Sequence, residues 1–331
     1  MRMIALAQLA VQISAAGGIG FIGSGNDQSN LDSVLSEAVE LCKKSNLPIS
    51  PVLPVGVGFL NWGADLEEAL RCIAKYKPCA IWLFAPRDAE DLGVWTKRCR
   101  EANGGETKVW IQVGGVEEAR KAIRAAQPDV LVVQGGDAGG HGLNSAASIV
   151  PLVPEVTDAV AELQSEGIMS TIPSIIATGG IADGRGVAAA LALGAQGVCL
   201  GTRLLAAREA VVARGYRAAV LRASDGGQTT ARSSVYDRLR GTTDWPREYG
   251  GRGVLNQSYH DAQAGMDWEE NTRRYNEAVK LGDAGWGDEG RMTTYAGTGV
   301  GLVKREQGAA EIVEEIRNEC LAVIERLQGV A

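Results

Sequence analysis

The run Val132-Val-Gln-Gly-Gly-Asp-Ala-Gly-Gly-His-Gly142 gathers the reactive residue types of this chain into one place. A buried apolar strand leads into five glycines that also hold Asp137 and His141. The chain has only two histidines, so one at the C-terminal end of a strand is informative. In α/β barrels such a residue points into the mouth where catalytic groups sit, and imidazole gains or loses a proton near neutral pH. His141 is therefore the candidate catalytic residue, with a loop histidine held by local hydrogen bonds as the plainer alternative. Asp137 could orient the imidazole, although an Asp among glycines more commonly forms a turn. No second His or Cys stands at ligand spacing from His141, so no metal is expected.

A second signal is a repeated plan. Ser174-Ile-Ile-Ala-Thr-Gly-Gly ends an apolar run in Gly179-Gly180, with Asp183 placed to cap the helix that follows. Gly197-Val-Cys-Leu-Gly-Thr-Arg then ends in Gly201-Thr202. Two successive strand ends with bare backbone amides suit one anion, and barrels place a phosphate site after their last two strands. Tight turns alone would also use glycine. A phosphate here could belong to FMN, pyridoxal phosphate or a sugar-phosphate substrate. Pyridoxal phosphate needs a strand-end lysine, and no lysine occurs between Lys121 and Lys280. The earlier Gly18-Ile-Gly-Phe-Ile-Gly23 matches a dinucleotide fingerprint in letters only. It follows a helix rather than a strand, and reads as a helix cap running into a strand.

The elements that must position these groups alternate. Short Val/Ile/Leu-rich runs at Gly20–Gly23, Ile49–Phe59, Ala80–Pro86, Lys108–Gly115, Val130–Gly136, Ser174–Gly180 and Gly197–Arg203 are separated by amphipathic helical patterns. Runs without clear alternation fit parallel strands buried on both faces. Seven such units favour a TIM-type (β/α)8 barrel over an open doubly wound sheet. The first strand is then the one not visible. A gap is expected between the strands starting at Gly20 and Gly197, and roughly twenty to thirty upstream residues, one strand and its turn, would close it. The apolar start of the chain, interrupted by Gln8, Gln12 and Ser14, reads as a packed helix rather than a signal or spanning segment.

A chain of 331 residues with net charge −7 and pI near 5.1 argues against nucleic acid or an anionic membrane as partner. Six scattered cysteines without a C-x-x-C pair read as free thiols of a reducing compartment, and the chain as a cytoplasmic or organelle-matrix protein. Half of all Trp and Tyr fall between Trp245 and Tyr295. This organisation suggests a barrel over residues 1–223, an inserted aromatic-rich stretch over 224–300 that is either a cap over the mouth or a surface subdomain with its own small core, and a C-terminal helix over 301–331 that packs back on the barrel. The second histidine, His260, lies in the cap with no glycine loop beside it and reads as structural.

V-V-Q-G-G-D-A-G-G-H-G, A-T-G-G-I-A-D-G-R-G-V and C-L-G-T-R together resemble the nitronate monooxygenase (2-nitropropane dioxygenase) family, and P-V-G-V-G-F and T-T-Y-A-G-T-G-V-G its fungal-like branch. The resemblance implies non-covalent FMN and oxidation of alkyl nitronates, or nitroalkanes, by O2 to a carbonyl compound and nitrite. Carried over by motif, His141 is catalytic beside the flavin, and Gln134, Gly139, Gly140 and Gln112 lie along its ring. Gly179, Gly180, Gly201 and Thr202 hold the phosphate. Gly58 stands where part of the family has Asn. Two other readings share the barrel: an NAD(P)H-dependent reductase of quinones or enoyl thioesters, and a non-catalytic flavin binder. A homodimer is left open.

Overall fold

The computed structural model describes residues 3–169, 171–287 and 289–329. Its strands, in chain order, are β1 (Gly20–Gly25), β2 (Leu53–Leu60), β3 (Pro78–Phe84), β4 (Lys108–Val113), β5 (Val130–Gln134), β6 (Gly140–Leu143), β7 (Ser174–Thr178), β8 (Gly197–Cys199), β9 (Thr230–Ser233) and β10 (Tyr249–Val254). Seven of them form one parallel sheet in the order β1-β2-β3-β4-β5-β7-β8, with helices on the connections. The sheet curls as a TIM-type barrel does. Among the described residues no strand other than β2 pairs with β1 and none other than β7 with β8, which leaves the expected gap in the strand order, although the Gly23 amide of β1 donates to the Ala5 carbonyl at 2.8 Å.

One set of strand side chains packs outward against the helices. Val55, Val57, Ile81, Leu83, Val109, Ile111, Leu131 and Val133 are all but fully buried there, against Leu35, Ile73, Trp95 and Ile123. The alternate set faces inward. At one end of the interior Phe21, Trp82 and Trp110 cluster, with ring centroids 5.2 Å, 5.0 Å and 6.1 Å apart. A Cβ on Gly56 would sit 2.3 Å from the Phe21 ring, so the glycine is what seats that aromatic plug. Further up the interior come Gln112 on β4 and Gln134 on β5.

The helix Ala7–Ala15 runs into β1 through a left-handed Gly17 (φ +86°). A Cβ at Gly20 would lie 1.9 Å from the Ala10 carbonyl oxygen, so these glycines serve helix–strand packing and no nucleotide. Asp183 caps the helix Gly184–Ala192, accepting from the Arg185 and Gly186 amides. The C-terminal helix Ala309–Gln328 buries Ile312, Ile316 and Cys320 and docks on that helix. Glu319 Oε2 accepts from the Gly184 amide at 2.9 Å, and a Cβ on Gly184 would lie 2.3 Å from the Cys320 nitrogen.

The remaining strands make a small antiparallel sheet in the order β6-β10-β9. β6 leaves the main sheet directly after β5, and β9 and β10 come from the 224–300 stretch, so that stretch is hydrogen-bonded to the glycine segment itself.

Candidate functional site

The chain turns sharply after Gln134 because its glycines have no room for anything larger. A Cβ would lie 2.7 Å from the Ile149 nitrogen at Gly135, 2.6 Å from the Ala146 oxygen at Gly136, and 2.4 Å from the Gly297 nitrogen at Gly139. Gly139 is therefore explained by close packing against Ala296-Gly297. Gly140 differs, with a left-handed φ of +70° and open space around its Cβ direction. The segment then becomes β6, in which His141 sits opposite Gly251 of β10. His141 is thus neither at the end of the parallel strand nor in a loop, but held in a paired strand.

Arg232 on β9 holds this turn from behind. Its guanidinium donates to the carbonyls of Gly140 (2.9 Å), Gly250 (2.6 Å) and Ala138 (2.8 Å). Arg252, its cross-strand neighbour, donates to Gly136 O at 3.2 Å. Arg232 has no carboxylate partner among the described residues. Burial, and then the adjacent Arg252, bring it down to about 10. The wall behind the glycine segment is thus positive.

His141 is fixed on three sides. Nε2 lies 2.9 Å and 3.0 Å from the two carboxylate oxygens of Asp237. Trp245 lies flat on the imidazole, with centroids 3.8 Å apart and planes 4° from parallel. Tyr295 stands at 5.4 Å. Asp237, only 5% exposed, is itself anchored: the Tyr295 hydroxyl donates to Oδ1 at 3.0 Å and the Thr242 hydroxyl at 3.1 Å. Burial first, and then the Asp237 charge, push the Tyr295 phenol far up, so it stays a donor. Among the described residues Nδ1 of His141 has no hydrogen-bond partner. Asp137 does not orient this ring. Its carboxylate accepts from the Thr298 hydroxyl at 2.8 Å and its carbonyl from the Thr298 amide, which ties the turn to the 296–299 segment.

An aromatic wall continues outward from the histidine. Trp245 meets Trp62 (5.5 Å) and Phe84 (6.1 Å), and Phe84 meets Tyr249 (5.4 Å). The Tyr249 hydroxyl donates to Glu118 Oε1 at 3.2 Å, while Glu118 Oε2 accepts from the Gly114 amide at 2.6 Å. Burial raises the Glu118 carboxyl above the ordinary range. Gln134 reaches forward to the same place, its Nε2 donating to the His141 carbonyl at 3.2 Å. Gln112 accepts from the Trp82 indole N–H at 3.0 Å, leaving its own amide nitrogen without a partner among the described residues.

The strand-end glycines lie side by side, since Thr178 pairs with Cys199 and its hydroxyl donates to the Cys199 carbonyl at 3.0 Å. Gly179 and Gly180 are left-handed (φ +111° and +76°), a conformation that favours glycine and turns their amides away from the ladder. Gly201 is a different case. Its φ of −109° suits any residue, and no atom lies within 4 Å of its Cβ direction. Thr202 Oγ accepts from the Gly297 amide at 2.9 Å. Among the described residues none of the amides of Gly179, Gly180, Gly201 and Thr202 has a protein acceptor. Four amides without acceptors beside a glycine that the protein's own packing does not require make a fitting cradle for an anion.

The structure therefore brings together Gln134, Gly140 and His141 at one wall and Gly179, Gly180, Gly201 and Thr202 at the neighbouring strand ends, joined by the Gly297–Thr298 contacts. His260 is exposed, on the helix Gln257–Gln263, away from this grouping. Reading the chain alone missed Asp237 and Arg232. The short run V-Y-D-R-L offers no pattern that distinguishes a buried Asp from a solvated one. Trp245, Tyr249 and Tyr295 were visible as part of an aromatic-rich stretch, without any sign that Trp245 lies on His141.

The family model described as nitronate monooxygenase matches residues 96–319. A nitronate monooxygenase of Metarhizium robertsii, npaC, is 45% identical over 98% of this chain and 90% of its own. A nitronate monooxygenase of Neurospora crassa is 37% identical over 100% of this chain and 90% of its own. Among solved structures, FabK of Thermotoga maritima superposes with a TM-score of 0.75 at 26% identity, covering 100% and 94% of the two chains. The nitroalkane oxidase of Streptomyces ansochromogenes gives 0.73 at 20% identity over 98% and 94%, a likeness of fold.

Proposed function

Because this chain belongs to the nitronate monooxygenase family, we propose that its barrel mouth binds FMN without a covalent bond and oxidises alkyl nitronates with O2 to a carbonyl compound and nitrite. The observation that carries this reading is a fixed imidazole standing over the same mouth as four acceptor-free amides. Gly179, Gly180, Gly201 and Thr202 would hold the phosphate. Gln112, with its free amide nitrogen, Gln134 and the open backbone at Gly140 would line the ring system, and Gly139 supports that backbone from behind. The chemistry supplied by a bound FMN is acceptance of two electrons from the nitronate and their return to O2.

The chain's own residues supply the rest. A nitronate is an anion, and Arg232 and Arg252 give the wall behind the glycine segment a positive field that favours it. His141 can donate to a nitro oxygen or take a proton from a neutral nitroalkane. Trp62, Phe84, Trp245 and Tyr249 exclude water from that place. We read residues 224–300 as the cap that brings Trp245 and Tyr249 over the mouth, against Trp62 and Phe84 of the barrel, followed by the packing helix of 301–331. No helix of the described residues is long and apolar enough to cross a membrane, and a cytoplasmic place belongs to the same reading.

The purified protein should show an oxidised-flavin absorption spectrum, and the flavin released on denaturation should co-elute with FMN. Anaerobic ethylnitronate should bleach it, and air should restore the colour with nitrite formed. Bleaching by NADPH and not by the nitronate would replace this reading with a reductase. Bleaching by neither would leave a flavin binder.

A further inference from the structure

We propose that Asp237 is the positioning residue of the site: it holds the neutral His141 ring in the Nε2–H form, so that Nδ1 is the nitrogen presented to substrate. An ionised carboxylate only accepts hydrogen bonds. Both Asp237 oxygens lie within 3.0 Å of Nε2, which must therefore carry the proton. The neutral ring then has its lone pair on Nδ1, the nitrogen with no protein partner among the described residues. Trp245 blocks one ring face and Tyr295 crowds the ring from another direction. The ring is held against rotation as well as against tautomer exchange.

The charged and titratable groups around this pair are few. Asp237 faces His141 from the helix Val235–Arg240, Tyr295 donates to Asp237, and Arg240 on the same helix lies 5.5 Å from the Tyr295 ring. Arg232 reaches the strand through the Gly140 carbonyl. With a neutral nitroalkane, the proton on the carbon bearing the nitro group passes to Nδ1. The C–H electron pair becomes the C=N bond of the nitronate, and the negative charge moves to the nitro oxygens. The imidazolium so formed lies against the Asp237 carboxylate. No electron leaves the substrate in this step.

Asp237→Asn should do more than weaken the contact. Oδ1 accepts from the Tyr295 and Thr242 hydroxyls, so the amide oxygen of the variant takes that place and its NH2 group faces Nε2. Nε2 must then accept, and the proton moves to Nδ1. The same logic is known from the Asp-to-Asn change of the serine-protease triad, which keeps the geometry and installs the wrong tautomer.

This inference rests on the functional reading above, and its first test does not. With only two histidines, ring-nitrogen NMR of 15N-histidine-labelled protein resolves His141 and His260 separately. At about pH 9, well above the ordinary histidine range, wild-type His141 should show Nε2–H and Asp237→Asn should show Nδ1–H, with His260 unchanged. An Nδ1–H form in the wild type, or the same tautomer in both proteins, overturns the proposal. The wild-type measurement stands even if the variant fails to fold. In turnover, Asp237→Asn should lose about 10²–10⁴-fold in kcat with neutral nitroalkane, the size of a general-base contribution, and much less with preformed nitronate. Equal losses with the two substrates overturn the assignment of Nδ1 as base. Wild-type protein inert toward nitronate overturns the functional reading and leaves the tautomer result standing.

Discussion

Substituting Gly201 separates cofactor binding from folding more cleanly than any other change in the phosphate cradle. Its φ of −109° is open to every residue and no atom lies within 4 Å of the added Cβ. Gly201→Ala should therefore not destabilise the cofactor-free protein, and restricting the unfolded chain could even add about 0.4–1 kcal/mol. Gly180→Ala is the contrasting case, because at φ +76° a side chain costs roughly 1–2 kcal/mol before any ligand is present, and its Cβ would meet the Asp137 Cβ at 3.1 Å. If the Gly201 amide donates to the phosphate, a methyl group beside it displaces one charge-assisted hydrogen bond, worth about 1.5–3 kcal/mol. That corresponds to roughly a ten- to hundredfold weaker FMN affinity. The assay is fluorescence titration of cofactor-stripped wild type and variant with FMN and with riboflavin, which has the same ring and no phosphate. FMN affinity should fall by that factor and riboflavin affinity should hold. Equal losses for both ligands, or no loss for FMN, would refute the placement of the phosphate.

Three further outcomes follow from local contacts. Gly184→Ala puts a methyl group 2.3 Å from both the Cys320 nitrogen and the Glu319 Cβ; overpacking of about 1–3 kcal/mol should lower the melting temperature by several degrees, and an unchanged melt would show that the C-terminal helix does not dock there. Trp245→Leu removes the ring stacked on His141 and should lower nitronate turnover by about tenfold, close to 1.4 kcal/mol in the barrier, with flavin content kept; full turnover would remove Trp245 from the working mouth. Glu118 is raised by burial above its ordinary 4.5, so the folded protein holds that proton more firmly than the unfolded chain. Its contribution is most favourable below pH 4.5 and is lost as pH rises through the raised value. Glu118→Gln should thus gain in melting temperature relative to wild type as pH increases above 4.5, and a difference constant with pH would contradict this.

The barrel was legible because its signals are local. Apolar runs such as Val130–Gln134 and Ser174–Thr178 are complete within a few residues, and the helices between them repeat on one face. The glycines at the ends of β7 and β8 could be located for the same reason, since position at the C-terminal end of a parallel strand already places a residue at the mouth; His141 lies further on, in the antiparallel β6. The gap in strand order between β1 and β8 was also legible, from a count of strands. The roles of individual glycines were not. Gly135, Gly136, Gly139 and Gly201 look alike in the sequence, yet three are demanded by protein contacts and one is not.

What makes His141 a held and oriented ring arrives from far along the chain. Asp237 is 96 residues away, and Tyr295 reaches that Asp from 58 residues further on. Arg232 meets the glycine segment across 92 residues. These groups sit on the short elements Thr230–Ser233 and Val235–Arg240 and on a connecting segment, where a buried Asp and a solvated one are written in the same letters. Local sequence determines which backbone segments become strands, because burial period and turn chemistry act over a few residues. Which distant carboxylate meets a ring nitrogen is decided by the pairing of β6 with β10 and β9. That pairing depends on packing and hydrogen bonding summed over the whole mouth, and no short segment encodes it.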